Sequence, residues 1–100
     1  MKIAALMVSA QNKAVSKNII ISNELGLHAR AAAQIAALAR LASAKVWLSK
    51  DEEKVDASSI IDILTLEGTK GSRITLIVDD PADVDILNQI EKLFKDQFGE

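Results

Sequence analysis

An alanine-rich run at residues 29–42 is the strongest constraint on how this chain folds. The run contains no glycine or proline, and its composition has high intrinsic helix propensity. Its small side chains allow the helix to approach a sheet closely. The sequence therefore predicts a helix that packs on a sheet through one stripe of residues at near-helical spacing, namely Ala32, Ile35, Ala36, Leu38 and Ala39.

The only histidine, His28, stands where a predicted turn at residues 23–27 meets this helix. A helix N-terminus has unpaired N–H groups and the positive end of the helix dipole, so it attracts anions. With Arg30 two residues further on, His28 is placed to accept a phosphoryl group as a covalent phosphohistidine. The residues alone leave a second interpretation open, in which His28 is only a cap.

Composition limits the other classes of function. With no cysteine and one histidine, the chain offers no metal site or catalytic triad. Twelve basic and fourteen acidic residues give a net charge of −2, without a basic stripe that would bind nucleic acid. Gly68-Thr69-Lys70-Gly71 lacks the spacing of a phosphate-binding loop.

Two stretches carry a family resemblance. Residues 23–30, Asn-Glu-Leu-Gly-Leu-His-Ala-Arg, resemble the active-site signature of the HPr family, the histidine phosphocarriers of the bacterial phosphotransferase system. Residues 54–66 are similar to the family's segment around a regulatory serine. Two matches in this order and at this separation are more specific than either one. The resemblance covers roughly residues 15–98.

The resemblance implies a phosphocarrier rather than an enzyme, with no cofactor of its own. Enzyme I would phosphorylate Nδ1 of His28, and the group would pass to enzyme II components for sugar transport. Arg30 and the N–H groups of Ala29, Arg30 and Ala31 would hold the phosphoryl oxygens. Partners would dock on a mostly apolar surface with some positive charge, formed by Leu27, Ala29, Arg40, Ile60, Ile61 and Leu64.

Ser59 has two predicted roles. As the residue before a short helix at 60–66, it is expected to cap that helix by accepting a hydrogen bond near Asp62. The resemblance implies that a serine kinase also phosphorylates it. Two departures nearby weaken the second role, because Ser58 replaces a residue that is often basic and Asp62 one that is often small.

A third departure lies inside the signature, where Ala31 stands in the place of the usual proline and frees one backbone N–H. The sequence leaves open whether this strengthens or loosens the site. Two alternatives to sugar transport also stay open. One is a regulatory member of the family that acts in nitrogen or carbon signalling through its phosphorylation state. The other is a binding module without chemistry, for which His28→Ala would be harmless.

The order of elements predicts an α+β fold. Strands are predicted at 15–22, 45–49, 54–56 and 73–78, and helices at 29–42, at 60–66 and after Asp80-Pro81, where Asp80 caps. The third helix is expected to bury Val84, Leu87, Ile90, Leu93 or Phe94, and Phe98. This βαββαβα order fits an open-faced sandwich, a four-stranded antiparallel sheet with three helices on one face.

Residues 1–14 are predicted to be an N-terminal extension, and residues 15–100 the phosphocarrier domain. The extension's apolar run is too short to span a membrane, and a cytoplasmic protein is expected. Strand alternation is expected to place Ile20, Trp47, Thr75 and Ile77 on the sheet face away from the helices, and Lys17 is assigned to the same face as Ile20. Ile3, Leu6, Met7 and Val8 are predicted to cover that face in a monomer, and a homodimer through it is the alternative.

Overall fold

One four-stranded antiparallel sheet forms the base of the computed structural model, which describes residues 13–100. The spatial order is β1-β4-β2-β3, so β4 lies between the first two strands of the chain. Val78 of β4 is opposite Val15 on one side and opposite Val46 on the other. The strands are β1 (Val15–Ile20), β2 (Val46–Lys50), β3 (Glu53–Asp56) and β4 (Arg73–Val78).

Three helices lie on the sheet: α1 (Ala29–Ala39), α2 (Ile60–Thr65) and α3 (Val84–Lys95). This confirms the predicted open-faced sandwich of class α+β. Alternate strand residues point into the layer between sheet and helices, where burying their apolar surface is the main stabilising contribution. The largest buried side chains there are Phe94, Ile21, Ile35, Leu48, Ile63, Ile74, Leu76, Leu87 and Ile90.

The first helix is shorter than predicted and ends at Ala39 instead of Ala42. The chain beyond it is held by a buried carboxylate, because Asp83 accepts hydrogen bonds from the backbone N–H groups of Ser43 at 2.8 Å and Ala44 at 3.0 Å. Asp83 thus ties the loop after α1 to the start of α3, and these bonds lower its pKa despite the opposing effect of burial.

The third helix also begins later than its sequence signals suggest. Asp80 does act as a cap, accepting from the N–H of Ala82 at 2.9 Å, but the turn it caps is a 3-10 turn at Pro81–Asp83, and α3 starts at Val84. Val84 is exposed, which corrects its predicted place in the core. Phe98 is buried as predicted, in a 3-10 turn after the helix.

The outer sheet face is only partly as predicted. Trp47 is half-buried between two ammonium groups, Lys45 at 5.9 Å and Lys54 at 4.6 Å from the ring centroid, and its Nε1 donates to Asp79 at 3.0 Å. Lys17 was assigned to the wrong face, since its Nζ reaches α3 and bonds Asn88 and Glu91, each at 2.8 Å. The predicted cover of residues 3–8 lies outside the described residues. Within residues 13–100, no helix is long and apolar enough to cross a membrane.

Candidate functional site

The loop before His28 is a tight turn that the loop before β4 holds in place. Gly26 donates to the carbonyl of Asn23 at 3.2 Å and has a left-handed φ of 62°. A Cβ on Gly26 would overlap the carbonyl of Gly68 and lie 3.1 Å from Cα of Thr69. The next residue, Leu27, donates to that same carbonyl at 2.9 Å. The turn therefore requires glycine, for both its backbone angle and its lack of a side chain.

His28 is the N-cap residue of α1, with extended backbone angles. Its carbonyl accepts the first helical hydrogen bond, from Ala32 at 2.9 Å, so the N–H groups of Ala29, Arg30 and Ala31 precede the helical bonding pattern. The imidazole makes no capping hydrogen bond to them. Ala29 and Arg30 are exposed, so the start of the helix can approach an anion, beside a ring that is not used as a cap.

One nitrogen of that ring is enclosed and faces a carboxylate. Nε2 of His28 is buried and lies 3.4 Å from Oε2 of Glu100, and the edge of Phe98 packs against the ring at a centroid distance of 6.5 Å. The His28 side chain is 23 % exposed. Because Nε2 is enclosed, this exposure belongs to the side of the ring away from Nε2.

Glu100 reaches the site because the chain folds back after α3. Three successive residues there, Gln97, Phe98 and Gly99, have left-handed backbone angles. Phe98 is held by the neighbouring ring of Phe94, at 4.9 Å between centroids. Left-handed angles are unfavourable for a non-glycine residue, so this turn depends on the packing around it.

Two donors besides His28 fix the carboxylate of Glu100. The side-chain amide of Asn23, which is fully buried, donates both to Glu100 and to the carbonyl of Gly26 at 2.8 Å. The N–H of Leu25 donates to Oε1 at 3.2 Å. Burial raises the pKa of Glu100, but the bonds from Asn23 and Leu25 and the neighbouring His28 outweigh it, and the net pKa is lowered.

The other predicted phosphate ligands lie at the same end of α1. Arg30 is exposed, and its Nη2 would lie 3.7 Å from a Cβ built on Gly99, so the guanidinium extends beside the turned-back segment. Ala29 is exposed, whereas the side chain of Ala31 is fully buried. The N–H of Ala31, which the usual proline would lack, lies in the first turn and is buried with the rest of that residue.

The predicted docking residues do not all lie on one surface. On α2, Ile61 is 75 % exposed, Leu64 is exposed and Ile60 is half-buried. Leu27 instead belongs to the core, with 5 % exposed, which corrects its assignment to the surface. Arg40 lies at the far end of α1, about 16 Å along the axis, where its Nε donates to the carbonyl of Ser58 at 3.1 Å.

Ser59 caps α2 as predicted, since its Oγ accepts from the N–H of Asp62 at 3.2 Å. Its neighbour Ser58 is bound differently, with both its N–H and its hydroxyl donating to Oδ1 of Asp56, at 2.8 and 2.6 Å. Ser59 is half-buried. The structural role of Ser59 is therefore established, independently of any modification.

The sequence reasoning missed Asn23, Phe98 and Glu100 as parts of the site. Glu100 is 72 positions from His28, and its contact depends on the left-handed turn at residues 97–99. These positions carry ordinary residues with no turn signal before Gly99. The one sequence signal for this part of the site is Asn23, the first residue of the family signature.

The fold is an open-faced α+β sandwich, and its first helix begins at a histidine whose side chain makes no capping hydrogen bond. Residues 15–96 match the family model described as the phosphorylation site of the HPr component of the phosphotransferase system. The chain belongs to this HPr family.

Curated relatives include both HPr and NPr phosphocarriers. The phosphocarrier protein HPr of Treponema pallidum (strain Nichols) is 36 % identical over 86 residues, which cover 86 % of this chain and 98 % of the relative. The phosphocarrier protein NPr of Klebsiella oxytoca is 37 % identical over 87 residues, covering 86 % and 97 %. The crystal structure of HPr-C-His from Thermoanaerobacter tengcongensis superposes with a TM-score of 0.78 at 34 % identity, covering 86 % of this chain and 97 % of that one.

Proposed function

We propose that this protein accepts a phosphoryl group on Nδ1 of His28 from enzyme I and passes it to enzyme II components of the phosphotransferase system. The observation that carries the proposal is the state of the N-cap. His28 occupies it without bonding the helix amides, and Nε2 is enclosed against Glu100. Nδ1 is then the ring nitrogen available to a partner.

The chemistry is a displacement at phosphorus. The lone pair of Nδ1 forms a bond to phosphorus while the bond between phosphorus and the donor breaks, and the reverse occurs at the acceptor. The N–H groups at the exposed residues Ala29 and Arg30, with the Arg30 guanidinium, stabilise the charge on the phosphoryl oxygens. The protein carries the group without a cofactor and has no catalytic turnover of its own.

Partners are proposed to dock on the exposed side of α2, through Ile60, Ile61 and Leu64, together with Ala29 and the charge of Arg30. An apolar patch with a charged edge suits brief, specific encounters. A serine kinase acting on Ser59 belongs to the same proposal, as does a cytoplasmic location. A phosphate on Ser59 would add about two negative charges beside this patch at pH 7 and weaken the docking of an acidic partner.

The test is phosphorylation in vitro. Wild type and His28→Ala are incubated with phosphoenolpyruvate, Mg²⁺ and a bacterial enzyme I, and the products are examined by intact mass and by acid treatment. We expect one acid-labile phosphoryl group on wild type and none on the variant. If wild type stays unmodified by an enzyme I that phosphorylates another carrier, the binding module in which His28 has no chemistry becomes the better interpretation.

A regulatory phosphocarrier is the second candidate. It is supported by the NPr relatives, whose identities of 33 to 40 % overlap those of the HPr relatives at 31 to 36 %. Both candidates use the same histidine, so they differ in the donor and acceptor proteins. Measuring phosphoryl transfer from the enzyme I proteins and to the acceptors of the same genome distinguishes them, since a regulatory carrier would deliver little phosphate to sugar-specific components.

A further inference from the structure

The carboxylate of Glu100 is built into the site by three separate contacts. It accepts from the buried Asn23 amide and from the N–H of Leu25, and it faces Nε2 of His28. The chain reaches this position through three left-handed residues.

The contact with His28 has a consequence for the ring. A neutral imidazole carries its proton on one nitrogen and a lone pair on the other. If the lone pair were on Nε2, it would face the negative charge of Glu100 at 3.4 Å without any donor between them. If the proton is on Nε2, the carboxylate accepts it. Within residues 13–100 Nε2 makes no hydrogen bond, and its one ion-pair contact is with Glu100, so Glu100 is the charged group that favours one tautomer over the other.

We propose that Glu100 is a positioning residue for phosphoryl transfer, and that Asn23 holds it in place. The carboxylate keeps the proton on Nε2 and thereby leaves the lone pair on Nδ1, at the exposed side of the ring. This inference rests on the proposed function and names the group that selects the nucleophilic nitrogen. The relay runs from the Asn23 amide through the Glu100 carboxylate to His28.

The same contact matters after transfer. When the Nδ1 lone pair binds phosphorus and the donor bond breaks, the Nε2 proton stays and the ring carries one positive charge. The carboxylate of Glu100 balances that charge. The separation of 3.4 Å is longer than an ordinary hydrogen bond, and such contacts tighten when charge develops on the donor. When the Nδ1–P bond breaks at the acceptor, the lone pair returns to Nδ1.

Nitrogen NMR of the unphosphorylated protein tests the relay directly, because the chain has only one histidine. Wild type, Glu100→Ala, Glu100→Gln and the control Glu24→Ala are labelled with ¹⁵N-histidine and measured at a pH where the ring is neutral. Glu24 pairs with Lys70, so its replacement by alanine removes one nearby carboxylate that has no contact with His28. We expect wild type and Glu24→Ala to show a protonated Nε2 and an unprotonated Nδ1.

In Glu100→Ala the ratio of the two tautomers is expected to shift by about tenfold toward the Nδ1-protonated form, the size of one lost charge-assisted hydrogen bond. Glu100→Gln keeps an oxygen acceptor and should restore most of the wild-type ratio, while its phosphoryl transfer stays slower because the charge is missing. An unchanged tautomer ratio in Glu100→Ala, or a protonated Nδ1 in wild type, overturns the inference.

The NMR experiment and the phosphorylation assay can each reject one hypothesis without rejecting the other. Normal phosphorylation of wild type together with an unchanged ratio in Glu100→Ala rejects the relay and keeps the carrier function. A shifted ratio in Glu100→Ala, with no phosphorylation of wild type by an active donor, supports the relay as the group that sets the tautomer and rejects the carrier function.

Discussion

Nε of Arg40 donates a hydrogen bond of 3.1 Å to the carbonyl oxygen of Ser58, and so connects the end of α1 to the residue before the cap of α2. The first of these helices begins at the histidine and the second begins at Ser59. The two candidate phosphorylation positions thus belong to helices that are fastened to each other at one point.

This bond allows the structural and docking roles of Arg40 to be separated. Arg40→Ala removes both the hydrogen bond and the positive charge. Arg40→Lys keeps the charge but loses the planar guanidinium and, with it, the Nε–H that donates to Ser58. We expect both variants to lose about 1 kcal/mol of unfolding free energy in urea titrations. If the charge serves docking, only Arg40→Ala slows phosphoryl transfer from enzyme I. Equal transfer rates for all three proteins would remove Arg40 from the docking surface.

The cap of α2 predicts a loss of stability for Ser59→Ala. The N–H of Asp62 would lose its acceptor, at a cost of about 1 kcal/mol. Ser59→Asn is the matched control, because asparagine is also a good N-cap residue. Urea denaturation of the three proteins should place Ser59→Asn close to wild type. A similar loss in both variants would mean that Oγ does not contribute through capping.

The geometry of the turn before His28 predicts that Gly26→Ala strongly destabilises the protein. Alanine would be strained at φ 62° and its Cβ would overlap the carbonyl of Gly68, so we expect a loss of about 2 to 4 kcal/mol and slower phosphoryl transfer. Gly71→Ala provides the comparison, since Gly71 has a φ of 92° but no atom within 4 Å of the added Cβ. Its loss should be about 1 kcal/mol, from backbone strain alone. Equal losses would show that the Gly68 contact is unimportant.

Asp56 predicts a measurable dependence of stability on pH. Hydrogen bonds from Lys45 and then from Ser58 lower the pKa of Asp56 from its ordinary value to about 2. Because the folded pKa is the lower one, the carboxylate stabilises the protein above about pH 4, and this contribution disappears as pH falls toward 2.

Asp56→Asn should therefore lower the unfolding free energy at pH 7 by about 1 kcal/mol, a value reduced by the solvent exposure of Lys45. The difference from wild type is expected to shrink as pH falls from 4 to 2. Asp51→Asn is the control, because Asp51 is exposed and its nearest ammonium, that of Lys50, is 3.6 Å away. A constant difference between pH 7 and pH 2 would contradict the assignment of the ion pair.

The exposed side of α2 predicts a kinetic defect without a structural one. Ile61→Ala removes apolar surface that is 75 % exposed, so the melting temperature should be nearly unchanged. We expect the second-order rate of transfer from enzyme I to fall about five- to tenfold, the effect of one moderately important interface residue. Leu41→Ala is matched in exposure, at 72 %, but lies beyond the far end of α1. Equal rates for the two variants would place docking elsewhere.

Local signals explain what the sequence predicted well. The strand alternation at 73–78, the serine cap at Ser59 and the position of His28 before an alanine-rich run each depend on a few neighbouring residues. The class of fold then follows from the order of elements, because short strands and three helices have few ways to bury their apolar sides.

The errors arose where a distant residue decides the local structure. Helix α1 ends early in a turn where Leu41 and Ala42 bond carbonyls three residues back, and the buried carboxylate of Asp83 binds the next two amides. Lys17 is a different case, because it is two residues from the buried Ile19 and strand alternation itself places it on the helix side, where it binds Asn88 and Glu91. Glu100 joins the site only through the left-handed turn after α3. Propensity and periodicity carry no information about such partners.

The hydrogen bond from Leu27 to Gly68 has a consequence for synthesis of the protein. The loop that presents His28 rests on a residue made about forty positions later, and its carboxylate partner comes later still. Because β4 must enter between β1 and β2, the sheet also has no central strand until residue 78 is available. A nascent chain on the ribosome therefore displays its histidine long before the surroundings exist, and competence for phosphoryl transfer arises only when nearly the whole domain has emerged.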